Sequence, residues 1–88
     1  MTVYDWAVDF CKERGMFPSE AVSVVERAVS HPAMQGARLR WGDDWERYPE
    51  PSKALLEQTL KTCAVTWIIE NDPNVWFRPL FDGSIKER

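Results

Sequence analysis

The sequence predicts an all-α fold, in which three main helices form a compact bundle. Apolar residues recur at spacings of three and four in three stretches, which is the period of one helix face. Pro and Gly residues separate these stretches. The chain of 88 residues is short enough to be one domain, 1–88, and its polar end, 82–88, is expected to fray.

The first helix is expected from about Thr2 to Arg14. Its apolar residues form one stripe: Val3, Trp6, Ala7, Phe10 and Cys11. Thr2 suits the N-cap position, because its hydroxyl can accept a backbone hydrogen bond there. Gly15 can adopt the left-handed conformation that ends a helix.

The second helix is expected from near Pro18 to about Ser30. Proline suits the first turn because a backbone N–H would lack a partner there. Glu20 complements the positive end of the helix dipole. The expected buried face consists of Ala21, Val22, Val25, Ala28 and Val29. Pro32 marks the end, because the residue before a proline avoids the α conformation.

The third helix is the longest, from about Pro51 to Glu70. One face carries Leu56, Leu60, Cys63, Ala64 and Trp67. A neighbouring face carries Leu55, Thr59, Thr62, Thr66 and Ile69. This wide arc predicts a central helix that is contacted on two sides. The aromatic segment 74–81 follows, and we expect it to form a short helical segment that packs across the bundle.

Residues 36–50 have neither a helical nor a strand period and are predicted to form a long irregular loop over one end of the bundle. A helical turn at 32–35, or a short extra helix, is the alternative. Trp41 and Trp45 bracket Asp43 and Asp44. A polar linker does not need such bulky rings, so they either fill a small core or contact a partner. Long loops in compact domains are often functional.

Composition limits the class of partner. The net charge is −3, with 14 acidic and 11 basic side chains. This balance argues against direct nucleic-acid binding, which needs a basic face, and permits a basic protein surface as partner. The sequence has no signal-like segment and no apolar run of membrane length, so we expect no membrane association and a cytoplasmic location.

Few residues are suited to metal binding or catalysis. The one histidine, His31, lies at a helix end, and Cys11 and Cys63 lie on apolar faces. Zinc sites normally show close ligand pairs such as CxxC, which this chain lacks. Asp43 and Asp44 resemble a catalytic acid pair only in outline, since adjacent loop residues rarely converge on one atom. We therefore expect no metal, no cofactor and no enzyme activity.

The predicted partner-binding residues lie in the loop. They include Trp, Tyr and Arg, the residue types enriched at the energetic centres of protein interfaces. The full set is Trp41, Asp43, Asp44, Trp45, Glu46, Arg47 and Tyr48. A second negative edge, at Asp5, Asp9 and Glu13 of the first helix, is either an ordinary solvated face or part of the same surface.

Two segments resemble a group of short hypothetical proteins from phages and prophages of gut-type bacteria. Residues 36–44 are GARLRWGDD, residues 48–49 are YP, and residues 67–81 are WIIENDPNVWFRPLF. In that group, a segment similar to RWxDD…YP precedes a helix, and the chain ends near NxPxAWFRPxF. The resemblance implies a phage accessory protein.

Small acidic phage proteins of this kind often counter host defence, as anti-CRISPR and anti-restriction proteins do. The resemblance therefore implies a non-enzymatic inhibitor of a host nucleic-acid-handling defence protein, such as a CRISPR effector nuclease. Two alternatives stay open: a phage structural or assembly protein acting as a homodimer or larger homo-oligomer, and a small zinc-binding protein. A small enzyme is a further alternative, although so short a chain can hardly enclose a cleft.

Overall fold

The computed structural model describes residues 1–71, and these residues confirm the all-α prediction. They form four α-helices and one short 3-10 helix: α1 (Val3–Glu13), α2 (Pro18–Val29), α3 (Pro32–Trp41), the 3-10 helix (Trp45–Arg47) and α4 (Glu50–Asn71). The predicted aromatic segment 74–81 and the tail 82–88 lie outside the described residues.

One hydrophobic core joins the helices. α2 packs against both α1 and α4, and α3 packs against α4 and, less extensively, α2. Side chains from all four α-helices are completely buried: Val3, Ala7, Cys11, Ala21, Val24, Val25, Ala28, Met34, Leu56, Leu60, Ala64 and Ile68. Most of them are small or aliphatic, so α2 can approach its two neighbours closely.

α1 begins and ends as its sequence predicts. The Thr2 hydroxyl accepts a hydrogen bond from the Asp5 N–H at 3.0 Å and caps the helix. Gly15 has a φ of 103°, a left-handed conformation that glycine adopts without steric cost. The turn that follows places Met16 back in the core.

α2 has the predicted start but a slightly different buried face. Val24 is completely buried and Val22 is exposed, so the assignment of Val22 to the buried face was wrong. Val29 is half-buried and packs against the core. The carboxylate of Glu20 accepts a hydrogen bond from the Phe17 N–H at 2.9 Å. Glu20 thus caps the backbone directly, in addition to complementing the helix dipole.

The prediction of an irregular loop over 36–50 was wrong. α3 covers the first part of this segment, and the 3-10 helix covers another, so the three-helix bundle gains a fourth α-helix. His31 caps α3, since its Nδ1 accepts a hydrogen bond from the Ala33 N–H at 3.0 Å. Pro32 occupies the first turn, and Gly42 ends the helix with a φ of 66°.

α4 has 22 residues and buries one face, as predicted, through Leu56, Leu60, Cys63 and Ala64. Trp67 on the same face is half-buried. On the neighbouring face only Thr59 is buried, and its hydroxyl donates to the Leu55 carbonyl at 2.8 Å. Leu55, Thr62, Thr66 and Ile69 are exposed, so the prediction that this second face is buried was wrong. Across residues 1–71 no helix is both long enough and apolar enough to cross a membrane.

Candidate protein-binding site

The connection between α3 and α4 forms a compact structure that we call the acidic turn, residues 42–47. Its backbone reverses direction at Gly42, whose N–H donates to the Arg38 carbonyl at 2.9 Å. Asp44 then caps the 3-10 helix, because its Oδ1 accepts from the Glu46 N–H at 3.1 Å.

The N-terminal residues hold the acidic turn against the start of α1. Thr2 and Asp44 form an isolated antiparallel bridge. The Val3 N–H donates to the Asp43 carbonyl at 2.8 Å, and the Trp45 N–H donates to the Met1 carbonyl at 3.2 Å. These backbone bonds tie a turn in the middle of the chain to the first helix, so the turn has a defined position.

Aromatic rings fix the turn from below. Trp45 is only 7% exposed and stacks on Trp6 of α1, with ring centroids 4.0 Å apart. Tyr48 is 3% exposed, and its ring centroid lies 5.5 Å from that of Trp45 and 5.8 Å from that of Trp41. An aromatic pair of this kind contributes about 0.5–1.5 kcal/mol beyond the area that it buries. The ring cluster, Trp6, Trp41, Trp45 and Tyr48, therefore anchors the turn.

The hydroxyl of Tyr48 adds a polar connection within the ring cluster. It donates to the Gly42 carbonyl at 2.6 Å. Burial raises the pKa of Tyr48, Arg38 lowers it, and Asp43 raises it further. Because the net shift is upward, the phenol keeps its proton and remains a donor to the turn.

The charged side chains of the turn point outward. The Asp43 side chain is 69% exposed and its carboxylate accepts from Arg38 at 2.9 Å. The Glu46 side chain is 66% exposed, and its Oε1 lies 3.3 Å from the ammonium group of Met1. Asp44 and Arg47 are also exposed. Such exposed ion pairs stabilise a fold only weakly, so these carboxylates remain suited to contacts with another molecule.

The predicted binding residues thus divide into two groups. Trp45 and Tyr48 lie in the core, Trp41 is half-buried, and the other four side chains are exposed: Asp43, Asp44, Glu46 and Arg47. The first group positions the turn and the second group forms its surface. Sequence reasoning missed the contribution of Trp6, Thr2 and Val3, because no local pattern relates α1 to a turn so far along the chain.

The negative edge of α1 adjoins the acidic turn at one end. Asp5, Asp9 and Glu13 are exposed, and the bridge between Thr2 and Asp44 places the first turn of α1, which carries Asp5, beside the acidic turn. A shallow depression lies between the two elements and is lined by Met1, Thr2, Asp43, Asp44 and Glu46. Its carboxylates can accept hydrogen bonds from a cationic partner group.

The two cysteines lie in the core, and the histidine caps a helix. Cys11 and Cys63 are free and buried. Burial raises the pKa of Cys11 to about 12 and also raises that of Cys63. His31 caps α3. Within the described part of the chain, no three His, Cys, Asp or Glu side chains are placed to hold a metal ion.

Comparison with protein-family models, with curated proteins and with solved structures finds no match to this chain. The turn itself has the chemistry of a contact surface, with outward carboxylates on a backbone that is held at both ends.

Proposed function

We propose that this protein is a non-enzymatic, phage-derived inhibitor that binds a host protein through its acidic turn. The proposed target is a nucleic-acid-handling defence protein, such as a CRISPR effector nuclease. The resemblance to phage and prophage proteins supports the source and the defence-related role. The geometry of the acidic turn supports the mode of binding.

One observation carries the proposal: three exposed carboxylates lie within four residues on a backbone that is tied to α1. Asp43, Asp44 and Glu46 supply the charge. The stacked rings of Trp6 and Trp45 and the backbone bonds to the N-terminal residues fix their positions. A surface that is already ordered loses less conformational entropy when it binds, which favours affinity.

The burial of two rings revises the set of contact residues. Trp45 and Tyr48 expose too little surface to be the centre of an interface, and we assign them to positioning. The proposed contacts are Asp43, Asp44, Glu46 and Arg47, with the exposed part of Trp41. Since Asp5 lies in the adjoining turn of α1, it extends the negative surface.

This surface fits a partner that presents arginine and lysine side chains. Proteins that handle nucleic acids have such surfaces, because they must neutralise phosphates. Complementary charge also accelerates association and makes it sensitive to salt. An inhibitor that occupies the basic surface would compete with the nucleic acid itself.

Capture from a lysate of a gut-type bacterial host tests the proposal. The test variant is Asp43→Asn/Asp44→Asn/Glu46→Gln, which removes three charges and retains the side-chain oxygen with which residue 44 caps the 3-10 helix. The control is Glu26→Gln/Glu57→Gln/Glu70→Gln, which removes three exposed acids of α2 and α4. We expect wild type and control to capture a basic nucleic-acid-binding protein that the test variant does not retain.

Two further measurements decide whether capture means inhibition. Excess double-stranded DNA should release the captured protein, and the captured nuclease should lose its cleavage activity when wild-type protein is added. The proposal is wrong if both variants capture the same proteins equally well, or if the captured protein binds and cleaves DNA unhindered.

A further inference from the structure

The outer face of α3 presents a leucine side chain to solvent. Leu39 is 84% exposed, more than any other large hydrophobic side chain that the structure describes. Gln35, Gly36 and Arg40 are exposed on the same side, and these four residues define the outer face of α3. The core of the monomer does not account for an exposed leucine here.

The charge of α3 is opposite to that of the molecule. The net charge is −3, yet α3 contains Arg38 and Arg40 and no acidic residue. Arg38 pairs with Asp43, and Arg40 lies over the Trp41 ring at 5.5 Å. The outer face of α3 therefore combines an apolar side chain with a cationic one.

The outer edge of α1 has the complementary character. Asp5, Asp9 and Glu13 are exposed and follow one another at four-residue intervals, a rise of about 6 Å each along a helix. Glu13 also pairs with Arg14 at 3.6 Å. Lys12 is exposed beside Asp9 and offsets part of this negative charge. We call Asp5, Asp9 and Glu13 the acidic edge of α1.

We propose that a second copy of this chain occupies the outer face of α3, using its own acidic edge of α1. The two elements carry charges of opposite sign and have similar lengths, since α1 has 11 residues and α3 has 10. Arg40 faces Asp9 of the neighbouring copy, and Leu39 packs beside this ion pair. Gly36 lies on the same face and has no side chain, so the neighbouring helix can approach the backbone of α3 there.

This contact joins unlike surfaces, so it leads to rings or open chains rather than to a two-fold symmetric dimer. One helix on each side covers less than the roughly 800 Å² per partner of a stable interface. We therefore expect a weak association, with a dissociation constant on the order of 100 μM. Charge complementarity makes the association sensitive to salt.

Sedimentation velocity on the full chain tests this assembly. The average mass should rise above the monomer value of 10.3 kDa with concentration at about 50 mM salt and return towards it at about 500 mM salt. Leu39→Asp should abolish the rise. The matched control, Leu55→Asp, changes an exposed leucine of α4 and should associate like wild type.

A charge-reversal pair tests the two surfaces directly. Asp9→Lys/Glu13→Lys makes both surfaces basic, and Gln35→Glu/Arg40→Glu makes both acidic. Neither variant should associate alone, but their mixture should, since each then offers one complementary surface to the other. The control, Lys53→Glu/Gln58→Glu, has the same net charge as the second variant but keeps both surfaces of wild type, so it should associate by itself as wild type does.

Three results would overturn the proposal: wild type that stays monomeric at millimolar concentration in low salt, Leu39→Asp that associates like wild type, or folded reversal variants whose mixture stays monomeric. These results leave binding by the acidic turn untouched, because no variant changes residues 42–47.

Discussion

α2 and α3 are consecutive helices of similar length that are stabilised in different ways. Both have a proline in their first turn. α2 buries four small apolar side chains along its length, Ala21, Val24, Val25 and Ala28, against helices on two sides. α3 buries only Met34 and Ala37, and its one leucine, Leu39, is exposed.

Contacts at the two ends of α3 provide the stabilisation that its small buried face does not. His31 caps the first turn, and beyond the last turn Arg38 pairs with Asp43 while Trp41 contacts Tyr48. α3 also carries Gly36, which costs about 1 kcal/mol relative to alanine inside a helix. The comparison indicates that α3 and the acidic turn stabilise each other, whereas α2 is stabilised by the core.

The largest effect should follow from removing the anchor of the acidic turn. Trp45→Ala deletes the ring that stacks on Trp6 and should reduce the free energy of unfolding by about 3–5 kcal/mol. Hydrogen exchange should show α3 opening more easily than α2 in this variant. Equal loss of protection in both helices would contradict the difference drawn between them.

Within α3, a buried and an exposed apolar side chain should contribute differently to the free energy of unfolding. Met34→Ala removes a completely buried side chain and should cost about 2–5 kcal/mol in urea unfolding. Leu39→Ala removes an exposed one and should change the monomer by less than about 0.5 kcal/mol. A cost above about 1 kcal/mol for Leu39→Ala would show that the outer face supports the monomer.

The α1–α2 side of the core should respond to high pH. Burial is the largest of the effects that raise the pKa of Cys11 from 9.0 to about 12. Above pH 9 the unfolded chain loses this proton while the folded chain keeps it, so stability declines between these values, by about 1.4 kcal/mol per pH unit. Cys11→Ala should flatten the decline measured by urea unfolding. Parallel profiles for the two proteins would contradict a buried, neutral thiol.

The start of α3 should show a smaller effect. His31→Ala removes the cap and should lower the free energy of unfolding by about 1 kcal/mol. His31→Asn supplies another capping oxygen and should restore most of the loss in thermal unfolding. Equal stability of the alanine and asparagine variants would show that the cap contributes nothing.

The smallest effect should be a gain. Gly36→Ala adds a methyl group that meets no atom within 4 Å, at a residue whose φ is not left-handed. We expect the monomer to be stabilised by about 0.5–1 kcal/mol. Circular dichroism melting at low concentration measures this gain. A decrease in melting temperature would show that the glycine is required within the monomer.

The sequence was sufficient where a helix buries one continuous face. α1, α2 and α4 follow the spacing of their apolar residues, and each of their bounds lies within one residue of the prediction. α3 was not predicted because it buries only Met34 and Ala37 and contains a glycine, and because many of the contacts that stabilise it lie at its ends.

The environment of the side chains at 38–50 was only partly predictable from the sequence. The acids of that segment are exposed, as their charge suggests. The burial of Trp45 could not be predicted from its neighbours in the sequence, since its stacking partner, Trp6, belongs to another helix. Pairings between distant segments leave no periodic signal in a single sequence.

The central claim is that buried rings position the acidic turn and exposed carboxylates bind the partner. Measuring partner capture and melting temperature together for two variants tests it most directly. Asp43→Asn/Asp44→Asn/Glu46→Gln should lose capture with a melting temperature within about 5 °C of wild type, whereas Trp45→Phe should lower the melting temperature and still capture below it. Capture retained by the first variant and lost by the second, while folded, would contradict the claim.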